Sequence, residues 1–266
     1  MTYSVEKIRG PQECEQLIRD VNGLVEREYT AANTIARQSY VYEYLDIAES
    51  FAFAVHCPGS IETRHLPGLT ISELPDTVAA LSLEVCERLA IKRGRVLFNV
   101  GRYPADCEII PPHYDGELFD FTVAPGVGQQ VRSAIRPRNV AILTLRNNSI
   151  DCETQLNEDS GGLVQPPNRT GDLLRFDNTR YQHGVPTSGP NPEQGEIETE
   201  PRWLRYTLGW RALEDDCFCW VDGEPLQPIG FEETIRLHEL FLKEQWPEQI
   251  EADLQRGSFP FPTAFA

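Results

Sequence analysis

From Arg95 onward the chain breaks into short apolar runs separated by clusters of Pro, Gly, Asn and Asp. The runs lie at 96–100, 118–123, 140–145, 162–164, 173–176 and 204–210. Evenly spaced short strands with turn residues between them bury their apolar faces as a sandwich or barrel. A double-sheet jelly roll, or double-stranded β-helix, is a natural candidate among these for a chain of this length.

The first part of the chain reads differently. Pro11 to Glu28 carries Leu17, Val21, Leu24 and Val25 at helical spacing behind a proline start. Residues 72–89 enter through Ser-Glu-Leu-Pro and continue with Val78, Leu81, Leu83, Val85 and Leu89, which predicts a second helix. A last helix is predicted over 230–246 from Phe231, Ile235, Leu237, Leu240 and Phe241. The expected organisation is therefore mainly β with flanking helices, in one structural domain. A helical region over 1–94 packs on a jelly-roll core over 95–215, and a helical extension follows over 216–266. Residues 187–201, rich in Pro, Gly and Glu, are expected to form an exposed loop.

The length of 266 residues is ample for a buried core. A formal net charge of -17 repels phosphate backbones, so a nucleic-acid substrate is not expected. The 24 basic residues include only three lysines, Lys7, Lys92 and Lys243, so guanidinium groups dominate the cations. Guanidinium presents a rigid fork suited to carboxylates. The first ten residues carry charges of both signs and no apolar run, unlike a signal peptide. No stretch approaches the roughly 20 apolar residues of a membrane helix. Seven cysteines without a Cys-x-x-Cys pair are read as reduced thiols of a cytoplasmic protein.

The residues that carry chemistry are few. His113-Tyr114-Asp115 places a His and a carboxylate two apart, and residues two apart on a strand face the same side. His183 follows the apolar run at 173–176 and a turn, so a returning strand can bring it to the first pair. Two histidines and one carboxylate form the facial triad that holds non-haem Fe(II) and leaves other positions open. A His-x-Asp pair alone is unspecific, because most such pairs are solvated or hydrogen-bonded surface residues. The third ligand gives the pattern its meaning.

Further residues extend the pattern. Tyr103 stands ten positions before His113. The strand-like Ala141-Ile142-Leu143-Thr144-Leu145-Arg146-Asn147-Asn148 is followed by Gly161-Gly162-Leu163. Gly171-Asp172-Leu173-Leu174-Arg175-Phe176 leads to His183, and Arg205-Tyr206-Thr207-Leu208-Gly209-Trp210 comes last. In these ordered elements, over about 95–211, the chain resembles the Fe(II)/2-oxoglutarate-dependent dioxygenase superfamily, and within it the prolyl-hydroxylase-type branch. The resemblance implies Fe(II) held by His113, Asp115 and His183, with O2 as oxidant. It also implies 2-oxoglutarate as co-substrate, its far carboxylate bound by Arg205, Thr207 and Tyr103. Arg202 and Arg211 compete with Arg205 for that place; Arg211 shares its strand face and Arg202 does not.

The chain departs from the family at one point. The basic residue usually follows the second His by about ten positions, whereas Arg205 follows His183 by 22. Residues 187–201 read as the insertion that fills the gap.

The implied reaction is oxidative decarboxylation of 2-oxoglutarate to succinate and CO2, coupled to hydroxylation of an unactivated C–H bond. Related halogenases lack the carboxylate ligand, so Asp115 favours oxygen insertion over halogenation; desaturation and cyclisation stay open. The expected substrate is a small, amino-acid-derived metabolite, with a prolyl peptide as the alternative. Arg102, Tyr114, Phe121 and Arg180 are candidates for its contacts, and Asn178 and Arg180 are candidates to support His183. For Asn178, turn chemistry is an equally good reading.

A rival reading comes from another class. Ala54-Val55-His56-Cys57 and Asp159-Ser160-Gly161-Gly162 resemble in miniature the His and Ser motifs of chymotrypsin-like proteases. A Ser-His-Asp hydrolase would use His56 and Ser160. Against it, His56 precedes the expected β region, and the two glycines are explained by the oxygenase strand. A jelly-roll binding module that kept only the metal site is a third reading. Such a binder has no need of Tyr103, Arg205 and Thr207 together.

Overall fold

The computed structural model describes residues 3–28, 39–40, 49–56, 69–90, 95–103, 110–115, 117–122, 130–150, 154–158, 161–185, 189–190, 204–212, 217–221 and 227–229. The predicted helix over 230–246, Arg202, Ser160 and most of the 187–201 loop lie outside these residues.

The chain opens with β1 (Tyr3–Lys7), helix α1 (Pro11–Glu28), β2 (Ser39–Tyr40), β3 (Glu49–His56) and β4 (Leu69–Thr70). A 3-10 turn at Ile71–Glu73 leads into helix α2 (Asp76–Arg88). Then come β5 (Arg95–Tyr103), β6 (Ile110–His113), β7 (Glu117–Thr122), β8 (Gln130–Pro137), β9 (Asn139–Asn147) and β10 (Ser149–Ile150). They are followed by β11 (Gln155–Glu158), β12 (Leu163–Val164), β13 (Asp172–Asp177), β14 (Tyr181–Val185) and β15 (Gly189–Pro190). The last described strands are β16 (Arg205–Ala212), β17 (Cys217–Val221) and β18 (Gln227–Ile229).

The protein is thus mainly β. The largest sheet runs β1-β13-β9-β16-β5-β3-β2, with β4 on β3. A second sheet runs β12-β11-β14-β6 and a third β18-β17-β8-β7. Among the described pairings all are antiparallel except β3 with β4.

Alternation along the large sheet builds two layers of core. On one face Phe98 and Val100 of β5, Leu143 and Leu145 of β9, and Leu208 and Trp210 of β16 meet Leu17, Val21 and Leu24 of α1 and Val78, Leu81 and Val85 of α2. Each fully buried side chain of this kind contributes about 1.5–3 kcal/mol. Arg146 of β9 grips Glu15 of α1 through two nitrogens at 2.7 and 3.1 Å, fixing α1 over the sheet. On the other face Val140, Leu174 and Phe176 pack on Leu156 and Tyr181 of the second sheet. His183 packs on Phe176 in this inter-sheet space.

Two expectations need correction. The stretch before Arg95, expected to be a mainly helical region packing on the core, also supplies strands to it, with β1 joining β13 and β3 joining β5 in the large sheet. The run Ser-Phe-Ala-Phe-Ala-Val in β3 has strand chemistry of its own. Likewise 216–266 begins with strands rather than a helix, since β17 pairs with β8 and β18 with β17. Helix α1 has the predicted bounds. Helix α2 starts only at Asp76, because Pro75 (φ -54, ψ 141) sits in an extended conformation as its N-cap. Leu83, counted on its apolar face, is exposed; Ser82 and Cys86 take the inward positions instead. Among the described residues no helix is long and apolar enough to cross a membrane.

Candidate metal centre and carboxylate anchor

His113 ends β6 and His183 sits in the middle of β14, and the two are register partners in the second sheet. Their rings lie 4.3 Å apart between centroids. Asp115 is 2 % exposed and stands between them, with Oδ1 3.8 Å from His113 Nε2 and Oδ2 3.5 Å from His183 Nε2. One ligand atom from each of the three can be chosen so that all lie within 4.8 Å of one another. Three residues, one of them far away in sequence, thus converge as two imidazoles and one carboxylate.

Asp115 does not reach this place by strand alternation. Strand β6 stops at His113, and Asp115 lies beyond the ladder. Its backbone is held instead by Asn178, and its side chain by Arg211. The Nε of Arg211 donates to Asp115 Oδ2, which leaves Oδ1 for an ion. Arg211, a competing candidate for the co-substrate anchor, is therefore engaged at the triad.

The electrostatics suit metal ligation. Burial lowers the His183 pKa to about 3, so the imidazole is neutral and its lone pair available. Burial by itself would raise the Asp115 carboxyl, but the charge and hydrogen bond of the Arg211 guanidinium oppose it, and the group is held below the usual carboxylate range. The Nδ1 of His183 meets no acceptor among the described residues. Packing against Phe176, at 5.1 Å between ring centroids, and against His113 orients the ring.

A second feature occupies the same face of the large sheet. Arg205 opens β16 opposite Tyr103, and Thr207 stands opposite Gly101. Arg205 is 1 % exposed, and its guanidinium carbon lies 5.1 Å from the centre of the Tyr103 ring. One terminal nitrogen donates to Thr154 Oγ1 at 2.6 Å and to Asn168 Oδ1 at 3.4 Å. Its Nε and other terminal nitrogen have no partner among the described residues. A buried cation without an anion costs several kcal/mol, so the site fits an incoming carboxylate. Gly101 keeps the space open: a Cβ there would lie 2.7 Å from Thr207 Oγ1 and 3.0 Å from the Tyr103 hydroxyl.

The remaining candidates fall elsewhere. Arg102 points to the helical face, where it donates to Asn22 of α1 at 2.8 Å and covers the Tyr206 ring. Strand alternation separates it from Gly101 and Tyr103. Tyr114 is partly buried between the two ligands, and Arg180 is exposed in the β13–β14 turn. Phe121 lies on β7, its side chain outside the described set. His56 ends β3 in the large sheet, so the expectation of a helical setting for it is corrected. Thr154 and Asn168 carry no motif in the sequence and are visible only through their contacts with Arg205.

No protein-family profile and no curated protein sequence matches the chain. Solved structures do resemble it distantly. A prolyl-4-hydroxylase from Pseudomonas putida is 14 % identical, with 79 % of this chain and 92 % of that one covered at a TM-score of 0.43. HygX from Streptomyces hygroscopicus, solved with nickel and 2-oxoglutarate, is 15 % identical over 79 % of this chain and 83 % of its own, at 0.42. A viral collagen prolyl hydroxylase from Paramecium Bursaria Chlorella virus-1 is 12 % identical over 80 % and 95 %, at 0.42. Identities this low leave the site's own geometry to indicate its chemistry.

Proposed function

We propose that the protein is an Fe(II)- and 2-oxoglutarate-dependent oxygenase built on a jelly-roll core. The observation that carries this reading is the buried guanidinium of Arg205, two of whose nitrogens have no partner among the described residues, in the same inter-sheet space as a His-Asp-His triad. A metal site alone would serve many ends. A metal site accompanied by a buried cation without its anion asks for a ligand with a carboxylate at its far end.

His113, Asp115 and His183 would hold the iron, and Arg205 with Thr207 and Tyr103 would bind the distal carboxylate of 2-oxoglutarate. Bound together, iron and co-substrate would supply the oxidising chemistry with O2, releasing succinate and CO2. The protein's part is positional. Arg205 fixes one end of the co-substrate by charge-assisted hydrogen bonds. Arg211 occupies Oδ2 of Asp115 and so directs the carboxylate to offer one oxygen. The apolar packing of Phe176, Leu174 and Leu156 excludes water from one side of the site.

The substrate is read as a small, amino-acid-derived metabolite whose unactivated C–H bond is hydroxylated, in a cytoplasmic setting. A net charge of -17 supports a partner other than nucleic acid. A prolyl peptide is the alternative within the same chemistry. The test is succinate formation from 2-oxoglutarate with and without Fe(II), across panels of amino-acid derivatives and prolyl peptides. Iron-dependent succinate that disappears in His183→Ala is expected. Undiminished turnover in that variant would remove the metal assignment.

A further inference from the structure

We propose that Asn178 is a positioning residue for the metal centre, clamping the backbone of Asp115 so that its carboxylate faces the two histidines. The proposal deepens the oxygenase reading and rests on its metal triad.

Asp115 lacks the support that the other two ligands have. His113 and His183 sit on strands and are paired with each other. Asp115 follows the end of β6 and belongs to none of the described strands. What replaces the ladder is one carboxamide. Asn178 Oδ1 accepts from the Asp115 N–H at 2.8 Å, and Asn178 Nδ2 donates to the Asp115 carbonyl at 2.6 Å. The side chain thereby imitates a neighbouring strand, gripping both polar groups of a single residue. The second hydrogen of Nδ2 goes to the Pro137 carbonyl at 2.9 Å, and the Asn178 backbone N–H donates to the Arg138 carbonyl at 2.7 Å. Asn178 is 0 % exposed, so these bonds are shielded from water.

Local turn chemistry does not account for this residue. The turn between β13 and β14 is closed by its neighbour: Asp177 Oδ1 accepts from the N–H and the hydroxyl of Thr179, and the Asp177 carbonyl accepts from the Arg180 N–H. Asp177 does what an Asn or Asp commonly does in a turn. The Asn178 carboxamide is left to reach across 63 residues of sequence. It also sits in the turn between β13 and β14, which crosses from the large sheet to the second sheet and delivers His183, five residues on. One side chain therefore ties the segment carrying the carboxylate ligand to the inter-sheet turn that leads to the second imidazole.

An isosteric carboxylate cannot replace it. In Asn178→Asp both donors are lost, and a carboxylate would oppose the Asp115 and Pro137 carbonyls. In Asn178→Ala the Asp115 backbone loses both partners. In either variant the carboxylate ligand should wander, and residues supporting metal ligands are commonly worth about 10- to 100-fold in metal affinity.

The test is anaerobic titration of the apoprotein with Co(II), followed by its d–d absorption, which reports both affinity and ligand geometry. Wild-type protein should bind one Co(II), and His183→Ala should abolish the signal. If the wild type does not bind, or His183→Ala binds unchanged, the metal reading itself fails. With that established, Asn178→Asp and Asn178→Ala should bind Co(II) about 10- to 100-fold more weakly, with altered d–d bands. Ser82→Ala is the matched control, since it removes the hydroxyl oxygen that accepts a buried hydrogen bond from Trp210 Nε1 in the helical layer. It should lower the melting temperature while leaving Co(II) affinity and spectrum unchanged. Wild-type Co(II) binding in both Asn178 variants overturns the proposal, as does an equal loss in Ser82→Ala. Should Asn178→Ala fail to fold, the near-isosteric Asn178→Asp carries the test alone.

Discussion

Arg211 and Asp115 form a nearly buried ion pair across the inter-sheet space, the guanidinium Nε donating to Oδ2. Their side chains are only 14 % and 2 % exposed, so neither charge is well hydrated. Removing one partner of a buried pair leaves the other uncompensated and costs about 3–5 kcal/mol. Arg211→Met and Asp115→Asn are each expected to destabilise the apoprotein by roughly that amount. The double variant should lose clearly less than the two single losses combined. Urea unfolding of the four proteins measures the coupling, and strict additivity would show that the pair contributes nothing.

The anchor is expected to separate from the metal site in binding measurements. Arg205→Ala should raise the 2-oxoglutarate requirement by roughly 10- to 100-fold, the equivalent of about 1.5–3 kcal/mol for a charged hydrogen bond. Its Co(II) affinity should stay close to that of the wild type. Titrating each ligand separately decides the matter, and an unchanged 2-oxoglutarate affinity would move the anchor away from Arg205.

Gly101 offers an independent check on the same cradle. A methyl group added there would lie 2.7 Å from Thr207 Oγ1. Overpacking of this kind costs about 1–3 kcal/mol. Gly101→Ala should therefore weaken 2-oxoglutarate binding by about tenfold or more while the metal titration is unaffected. Calorimetric titration of 2-oxoglutarate into the Co(II)-loaded protein reads the difference.

Cys14 supplies a pH prediction away from the site. Burial pushes its thiol up from 9.0 to about 11. In the folded state it stays protonated at neutral pH, and only the thiolate is a good nucleophile. Iodoacetamide at pH 8 should leave Cys14 unmodified until denaturant is added, as peptide mass spectrometry would reveal. Stability shifts in the same direction. The unfolded chain deprotonates first, so the contribution of this thiol is full below pH 9 and is lost as pH rises toward 11. Rapid labelling in the native protein would contradict the burial.

The sequence by itself determined the elements whose signal is local. The bounds of α1 follow from a proline start and a 3.6-residue apolar period, and β5, β9, β13 and β16 from short apolar runs between turn residues. The triad was legible because the metal chemistry restricts ligand types and the chain has only five histidines. Arg205 and Thr207 could be placed on one face because strand side chains alternate with a period of two.

What only the tertiary structure decided are relationships with no local signature. The strands β1 and β3 gain their place by pairing with β13 and β5, which no pattern within 1–94 specifies. Among the described residues Arg205 rather than Arg211 meets no anion, because Asp115 faces Arg211. Asn178 and Asp177 are adjacent and alike in shape, yet one closes its own turn while the other reaches Asp115. That division rests on which backbone groups a distant segment brings within hydrogen-bonding range. Such proximity is a property of the packed chain, because contacts across dozens of residues form only when the sheets close on one another.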